Sequence, residues 1–339
     1  MERNNSVDIS KGIGIFLVIW AHTVCPFIPE ISLFHMPLFF MLSGYVFNKR
    51  DSFRITLGKK IKTLLIPFAI FFFFQRLGFI LISVAGGTYQ NDYLIPWSVI
   101  PPWRVMGVLW FLVALFIVTM GYSLISFLKS DFLKFMTSLI VSFAGYLLFR
   151  YDIHVPLHMG SSMSMMVFFC IGSLLAKYRV TENLSQGMNI IAGLVSLALF
   201  FLLLQFYLPE ISVANNVYKG NFILNTGLMT LGCLMVLLNS RTMDRLPALS
   251  RVLSYIGKNS LSIYVIHTVI LEAVYLLFPK STVSVTGGVI ISIFILGTGL
   301  LFNLFLQRFV PFALGKQDLI PGRLLFSSLA VSNTGTSKK

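Results

Sequence analysis

Stretches of roughly 20 mostly apolar residues recur from one end of the chain to the other, and a helix crossing a hydrocarbon core needs about that many. About ten stretches qualify: 12–29, 33–48, 63–85, 106–128, 132–150, 162–176, 188–208, 221–239, 259–278 and 285–307. They are too long and too uniformly apolar for barrel strands. Backbone polar groups in lipid must be satisfied within the segment, so the expected elements are helices. Only 11% of the 339 residues are charged, against about 25% in a soluble domain. The expectation is an all-α, polytopic membrane bundle of about ten transmembrane helices over residues 1–310. Residues 311–339 read as a partly disordered cytoplasmic tail.

Basic residues set the orientation of such a bundle. With the N-terminus inside, the inner segments hold 21 of the 26 Lys and Arg residues, and outer loops keep Arg104, Arg150, Lys219 and Lys280. A miscounted helix would reverse the sign of every later loop. The asymmetry therefore predicts an even number of spans and two cytoplasmic termini. It also assigns the net charge of +14 to orientation beside anionic lipid rather than to nucleic acid. Trp20, His22 and Pro26 interrupt the first stretch where a cleaved signal peptide would need small residues. Cys25, Cys170 and Cys233 lie far apart in apolar stretches, which argues against a disulfide scaffold or a thiolate metal site.

Ionisable residues inside a bilayer are costly and draw attention first. His22, Arg76, His267 and Glu272 fall within spans, with Glu30 and His35 near the outer rim. His22 follows Lys11 by eleven residues, which returns to nearly the same helix face about 16 Å further on. That places Lys11 at the cytoplasmic mouth and His22 deep in the membrane on one stripe. An imidazole there is a candidate general base for a hydroxyl; a histidine bonded to a neighbouring helix is the plainer alternative. His35 either caps the outer interface or contacts a ligand, and Ser43-Gly44 permits close approach of a backbone or a ligand.

The densest basic patch runs from Lys49 to Lys62. Lys59 and Lys62 are spaced to share a face and are candidates for a phosphate-binding mouth, though orientation alone accounts for part of the patch. Arg76 must pair or face a wet cavity. Ser260, Tyr264 and His267 recur on one face of the ninth span, with Asn259 or Ser260 as its cap, while Glu272 lies off that stripe. Trp97, Trp103 and Trp110 flank the fourth span as interfacial anchors.

Asp8-x-x-Lys11-Gly12, then Ala21-His22, then Phe39-Phe40-x-x-Ser43-Gly44 together resemble the integral-membrane acyltransferase-3 family. Leu109-Trp110-Phe111-Leu112, Phe168-Phe169-x-x-Gly172 and Gly257-Lys258-x-Ser260-Leu261-x-Ile263-Tyr264-x-Ile266-His267 extend the resemblance over residues 8 to 267. The Trp110 and Gly257 forms are most similar to the fucose 4-O-acetylase-like branch. The resemblance implies a membrane O-acyltransferase of about ten helices in a bacterial plasma membrane. Its co-substrate would be cytoplasmic acyl-CoA, usually acetyl-CoA, with no permanently bound cofactor. Its acceptor would be a sugar hydroxyl on a cell-surface or lipid-linked glycan, such as an exopolysaccharide or lipopolysaccharide. The basic residue and histidine that the family holds with ten residues between them match Lys11 and His22. The family's paired arginines at the third helix have only Lys59-x-x-Lys62 nearby, and Arg76 is the substitute.

The expected chemistry combines these readings. Lys11, Lys59 and Lys62 hold the phosphates of acyl-CoA, and His22 deprotonates the acceptor. Tyr264, Ser260 or Arg76 stabilises the oxyanion, and Cys25 is the nucleophile of a covalent variant. A transporter or flippase of glycan-lipid intermediates is the alternative. It is disfavoured because few acidic residues lie within spans and no paired broken helices are visible. A structural or sensory protein would leave the His22 and His267 constellations without a role.

Overall fold

The computed structural model describes residues 5–86 and 106–316. Trp97, Trp103, Arg104 and the tail beyond residue 316 lie outside the described residues. Helices occupy all ten apolar stretches. They are α1 (Asn5–His22), α2 (Ile28–Tyr45), α3 (Phe53–Ala85), α4 (Trp110–Ile125), α5 (Asp131–Arg150) and α6 (Met159–Lys177), then α7 (Gln186–Leu204), α8 (Phe222–Met243), α10 (Ser260–Leu277) and α11 (Val285–Phe309). A shorter helix, α9 (Pro247–Lys258), lies in what the sequence reads as an inner loop. A small hairpin, β1 (Ile211–Ser212) with β2 (Val217–Tyr218), connects α7 to α8.

Eight of the described helices are long and apolar enough to cross a membrane by length and composition. The other two long ones, α1 and α2, have 18 residues each and carry Asp8, Lys11 and His22, or Glu30 and His35, among their apolar residues. These two are interior elements. Ile9, Ile19, Leu38, Phe40 and Met41 are fully buried. The periphery shows the opposite pattern: Phe73 and Leu77 of α3, Ile191 and Leu194 of α7, and Ile290 and Leu301 of α11 are exposed. An apolar surface so continuous suits lipid and not water.

Two helix pairs in this centre cross backbone to backbone. A Cβ added at Gly44 of α2 would run into the main chain at Phe169 of α6, and one at Gly172 of α6 into the main chain at Met41. A Cβ at Gly12 of α1 would meet the carbonyl of Leu253 in α9, and one at Gly257 of α9 the carbonyl of Asp8. Small residues drive association in lipid, because close van der Waals packing replaces the hydrophobic effect there. The motif glycines thus set the helix crossings. Gly44→Ala should destabilise the bundle by about 1–3 kcal/mol through overpacking. Gly227→Ala, where the added carbon has open space, should leave stability unchanged or slightly raised. Thermal melts of the two variants in one detergent compare them directly.

Three departures from the sequence reading matter for the site. First, α1 starts at Asn5, seven residues before the apolar run, because Ser6, Asp8 and Ser10 are buried in the bundle. Second, the third helix starts at Phe53, ten residues before the apolar run, so that Arg54, Lys59, Lys60 and Lys62 lie within it: α3 is one helix of 33 residues with a π turn at Ile61–Leu65. Pro67 has no N–H to return to the preceding turn, and the widened turn absorbs that loss. Third, the chain does not leave the bundle at residue 310. Ala313 and Leu314 are buried in a short turn (Pro311–Leu314), and Gly315 packs on the main chain at Lys62 and Thr63.

Candidate active site

A cavity of about 230 Å³ opens between α1, α2, α4, α10 and the π turn of α3. Asp8, Lys11, Ile15 and Val18 line it from α1 at helical spacing, and Ser43 and Phe39 face them from α2. Thr63 and Leu64 contribute from the π turn, and Phe111 from α4. Lys258, Ser260 and Tyr264 complete the wall where α9 turns into α10. One end of the cavity is cationic. Lys11 Nζ lies 3.9 Å from the buried Asp8 carboxylate, Lys258 stands beside it, and Lys60 is within electrostatic range of Lys11.

The cavity ends at Val18 and Tyr264, and two histidines stand beyond it. The ring Nδ1 of His22 is 2.7 Å from the Val18 carbonyl. A carbonyl only accepts, so Nδ1 carries the hydrogen and Nε2 keeps the lone pair. His267 is bonded the same way to the Tyr264 carbonyl at 2.6 Å and is fully buried. The two rings meet edge to face at 5.2 Å. His22 ends α1 and is exposed on its far side, yet it faces His267, the eighth of the 18 residues of α10. It therefore sits at mid-height of that helix, one turn past the cavity. Tyr264 donates its hydroxyl to the Val108 carbonyl, and its ring packs on Phe111 (5.7 Å) and His267 (5.7 Å).

Several sequence candidates lie elsewhere. Lys59 is exposed and ion-paired to Asp51 at 2.7 Å, so it points back to the preceding loop. Lys62 is outside the cavity because the π turn rotates it off the face that i, i+3 spacing assumes. Arg76 spreads over the Phe72 ring at 5.6 Å and does not line the cavity. The neighbouring Gln75 points inward instead, donating to the Val265 carbonyl at 2.7 Å. Glu272 is exposed on α10. Trp110 is no interfacial anchor: it is buried against His158 at 5.4 Å. His35 is two turns into α2, half-buried, and within electrostatic range of His22. Asn259 does not cap α10 with its side chain; its amide bonds Tyr255 and Gln307. Cys25 is buried and accepts from the Phe27 amide.

Lys258 and Thr63 are the polar lining residues that reasoning from sequence missed. Lys258 sits within a motif, next to Gly257, but reads there as an orientation charge.

Eight helices long and apolar enough to cross a membrane among the described residues, with an apolar exterior, mark a multi-pass membrane protein. A family model described as an acyltransferase domain, the third of that type, matches residues 4–306. The chain belongs to that family and is a membrane acyltransferase. Comparison with curated proteins and with solved structures gives no match.

Proposed function

We propose that the chain transfers an acetyl group from cytoplasmic acetyl-CoA to a sugar hydroxyl of a cell-surface or lipid-linked glycan, within the fucose 4-O-acetylase-like branch of its family. In this reading ten helices, all but α9, span a bacterial plasma membrane, and both termini are cytoplasmic. The observation that carries it is the line from Lys11 through Ile15 and Val18 to His22, a cavity running along α1 from a cationic end to within one turn of an imidazole. The distance is about 16 Å, of the order of a pantetheine arm.

Lys11 and Lys258 hold the phosphates of acyl-CoA with charge-assisted hydrogen bonds, and the thioester lies along the apolar stretch toward Val18. Nε2 of His22 takes the proton of the acceptor hydroxyl. That oxygen bonds the thioester carbonyl carbon, the carbon–sulfur bond breaks, and CoA leaves as the thiol with the proton returned by the imidazolium. His267 holds the His22 ring edge to face, which makes it a positioning residue. Ser260 and Tyr264 are the oxyanion donors in reach of the cavity, Tyr264 by exchanging its bond to Val108.

With two donors sharing that role, Tyr264→Phe should lower kcat by about tenfold and leave the KM for acetyl-CoA unchanged. Initial rates of labelled acetyl transfer measure both. A variant that changes only KM would place the tyrosine in substrate binding. The reading as a whole is tested by incubating membranes with labelled acetyl-CoA and following the label into glycan. A protein that moves glycan lipids without acetylating them would overturn it.

A further inference from the structure

A second cavity, of about 310 Å³, lies at the other end of the bundle from Lys11. It is bounded by the chain between α5 and α6 and by the hairpin between α7 and α8. Tyr45, the last residue of α2, bonds Thr181 just past the end of α6, and α2 also touches β1 of the hairpin, so α2 and α6 run in the same direction. The start of α6, where this cavity sits, is therefore on the His22 side. Its volume falls at the lower end of the range for small-molecule sites, about 300–1,000 Å³.

The lining is polar without being cationic. Asp152, His154, His158, Asn215 and Asn216 contribute hydrogen-bonding groups, Phe149 contributes an apolar face, and no Lys or Arg lines it among the described residues. A phosphate or a CoA moiety would meet the Asp152 carboxylate with only the His154 imidazole, 3.7 Å away, beside it. A neutral polyol fits both halves of the lining. Its hydroxyls donate to a carboxylate and accept from amides, and its C–H face packs on an aromatic ring.

The walls are fixed in place. His158 donates from Nδ1 to the Ala214 carbonyl at 3.0 Å. Ser164 donates to the Asn216 side chain at 3.1 Å, and that side chain donates to the Gly145 carbonyl at 3.2 Å. These bonds staple the hairpin to α5 and α6. Three of the five non-glycine residues with positive φ among the described residues line this cavity: Asp152, His158 and Asn216. Strain of that kind persists only where surrounding contacts enforce it. The two cavities are also joined through a wall: His158 lies on Trp110, whose neighbour Phe111 lines the Lys11 cavity and packs on Tyr264.

We infer that this second cavity binds a neutral sugar residue of the acceptor, one that does not itself react, and so holds the glycan while another of its hydroxyls reaches His22. The inference rests on the acyl-transfer reading in taking the sugar to be part of the acceptor. Its test reads binding without turnover. The full-length protein in nanodiscs is titrated with methyl glycosides of a hexose, a 6-deoxyhexose and an N-acetylhexosamine, followed by saturation-transfer NMR, with inorganic phosphate and CoA as competitors. At least one glycoside should bind the wild-type protein and resist both competitors. Asp152→Ala and Asn215→Trp change exposed side chains, the second closing the mouth. Each should raise Kd by about fivefold or more, the equivalent of a lost hydrogen bond. Absence of glycoside binding, binding indifferent to both substitutions, or displacement by phosphate would each overturn the site. Glycoside binding that persists in a protein shown to transfer no acyl group would support the cavity and refute only the reaction assigned above.

Discussion

Replacing His22 with alanine should lower acetyl transfer by about 100- to 10,000-fold, the usual contribution of a positioned general base, without preventing the chain from folding. The two halves of that expectation have separate grounds. His22 is the last residue of α1, exposed on one side, and its hydrogen bond is to a carbonyl of its own helix. Alanine keeps the helix and leaves no buried polar group behind except the Val18 carbonyl, already within α1. The proposed chemistry depends on Nε2, the one nitrogen whose lone pair that bond preserves. His22→Gln offers an amide of similar reach but no base, and it should be as inactive as the alanine variant. Labelled-acetyl incorporation, normalised to monodisperse protein from size exclusion, measures the loss. A folded His22→Ala protein working at the wild-type rate would remove the imidazole from the mechanism.

The reason His22 could be read from sequence, and Lys258 could not, is geometric. Lys11, Ile15, Val18 and His22 lie on a single uninterrupted helix, where spacing alone fixes which residues share a face. The stripe of Ser260, Tyr264 and His267 is legible for the same reason. Lys59 and Lys62 follow the same arithmetic, but Lys62 falls inside the π turn that precedes Pro67 and the shared face is lost. Arg76 drew attention as an intramembrane cation, yet Gln75, one residue away, takes the inward position. Rotation about a helix axis is decided by neighbours that the sequence does not reveal. The glycines show the converse. Gly12, Gly44, Gly172 and Gly257 all fall in the motifs that carry the family resemblance, and all four lie at backbone crossings. Much of that signal is therefore about packing, which in turn brings α1, α9 and α10 together around the cavity.

That packing places the second large effect at the cationic end. Lys11→Ala combined with Lys258→Ala should raise the KM for acetyl-CoA by about 10- to 100-fold, with kcat little changed. Each lost charge-assisted hydrogen bond to a phosphate is worth about 1.5–3 kcal/mol, and partial exposure of both lysines brings the pair toward the lower end. High salt should produce a smaller shift in the same direction in the wild-type protein, since partly exposed charges are screened. Lys59→Ala is the discriminating partner. Its ammonium is held by Asp51 at 2.7 Å and is well exposed, so its removal should leave KM unchanged. If Lys59→Ala raised KM while the Lys11 and Lys258 substitutions did not, the donor would enter beside the α2–α3 loop instead. The cavity along α1 would then have to admit something other than the thioester arm.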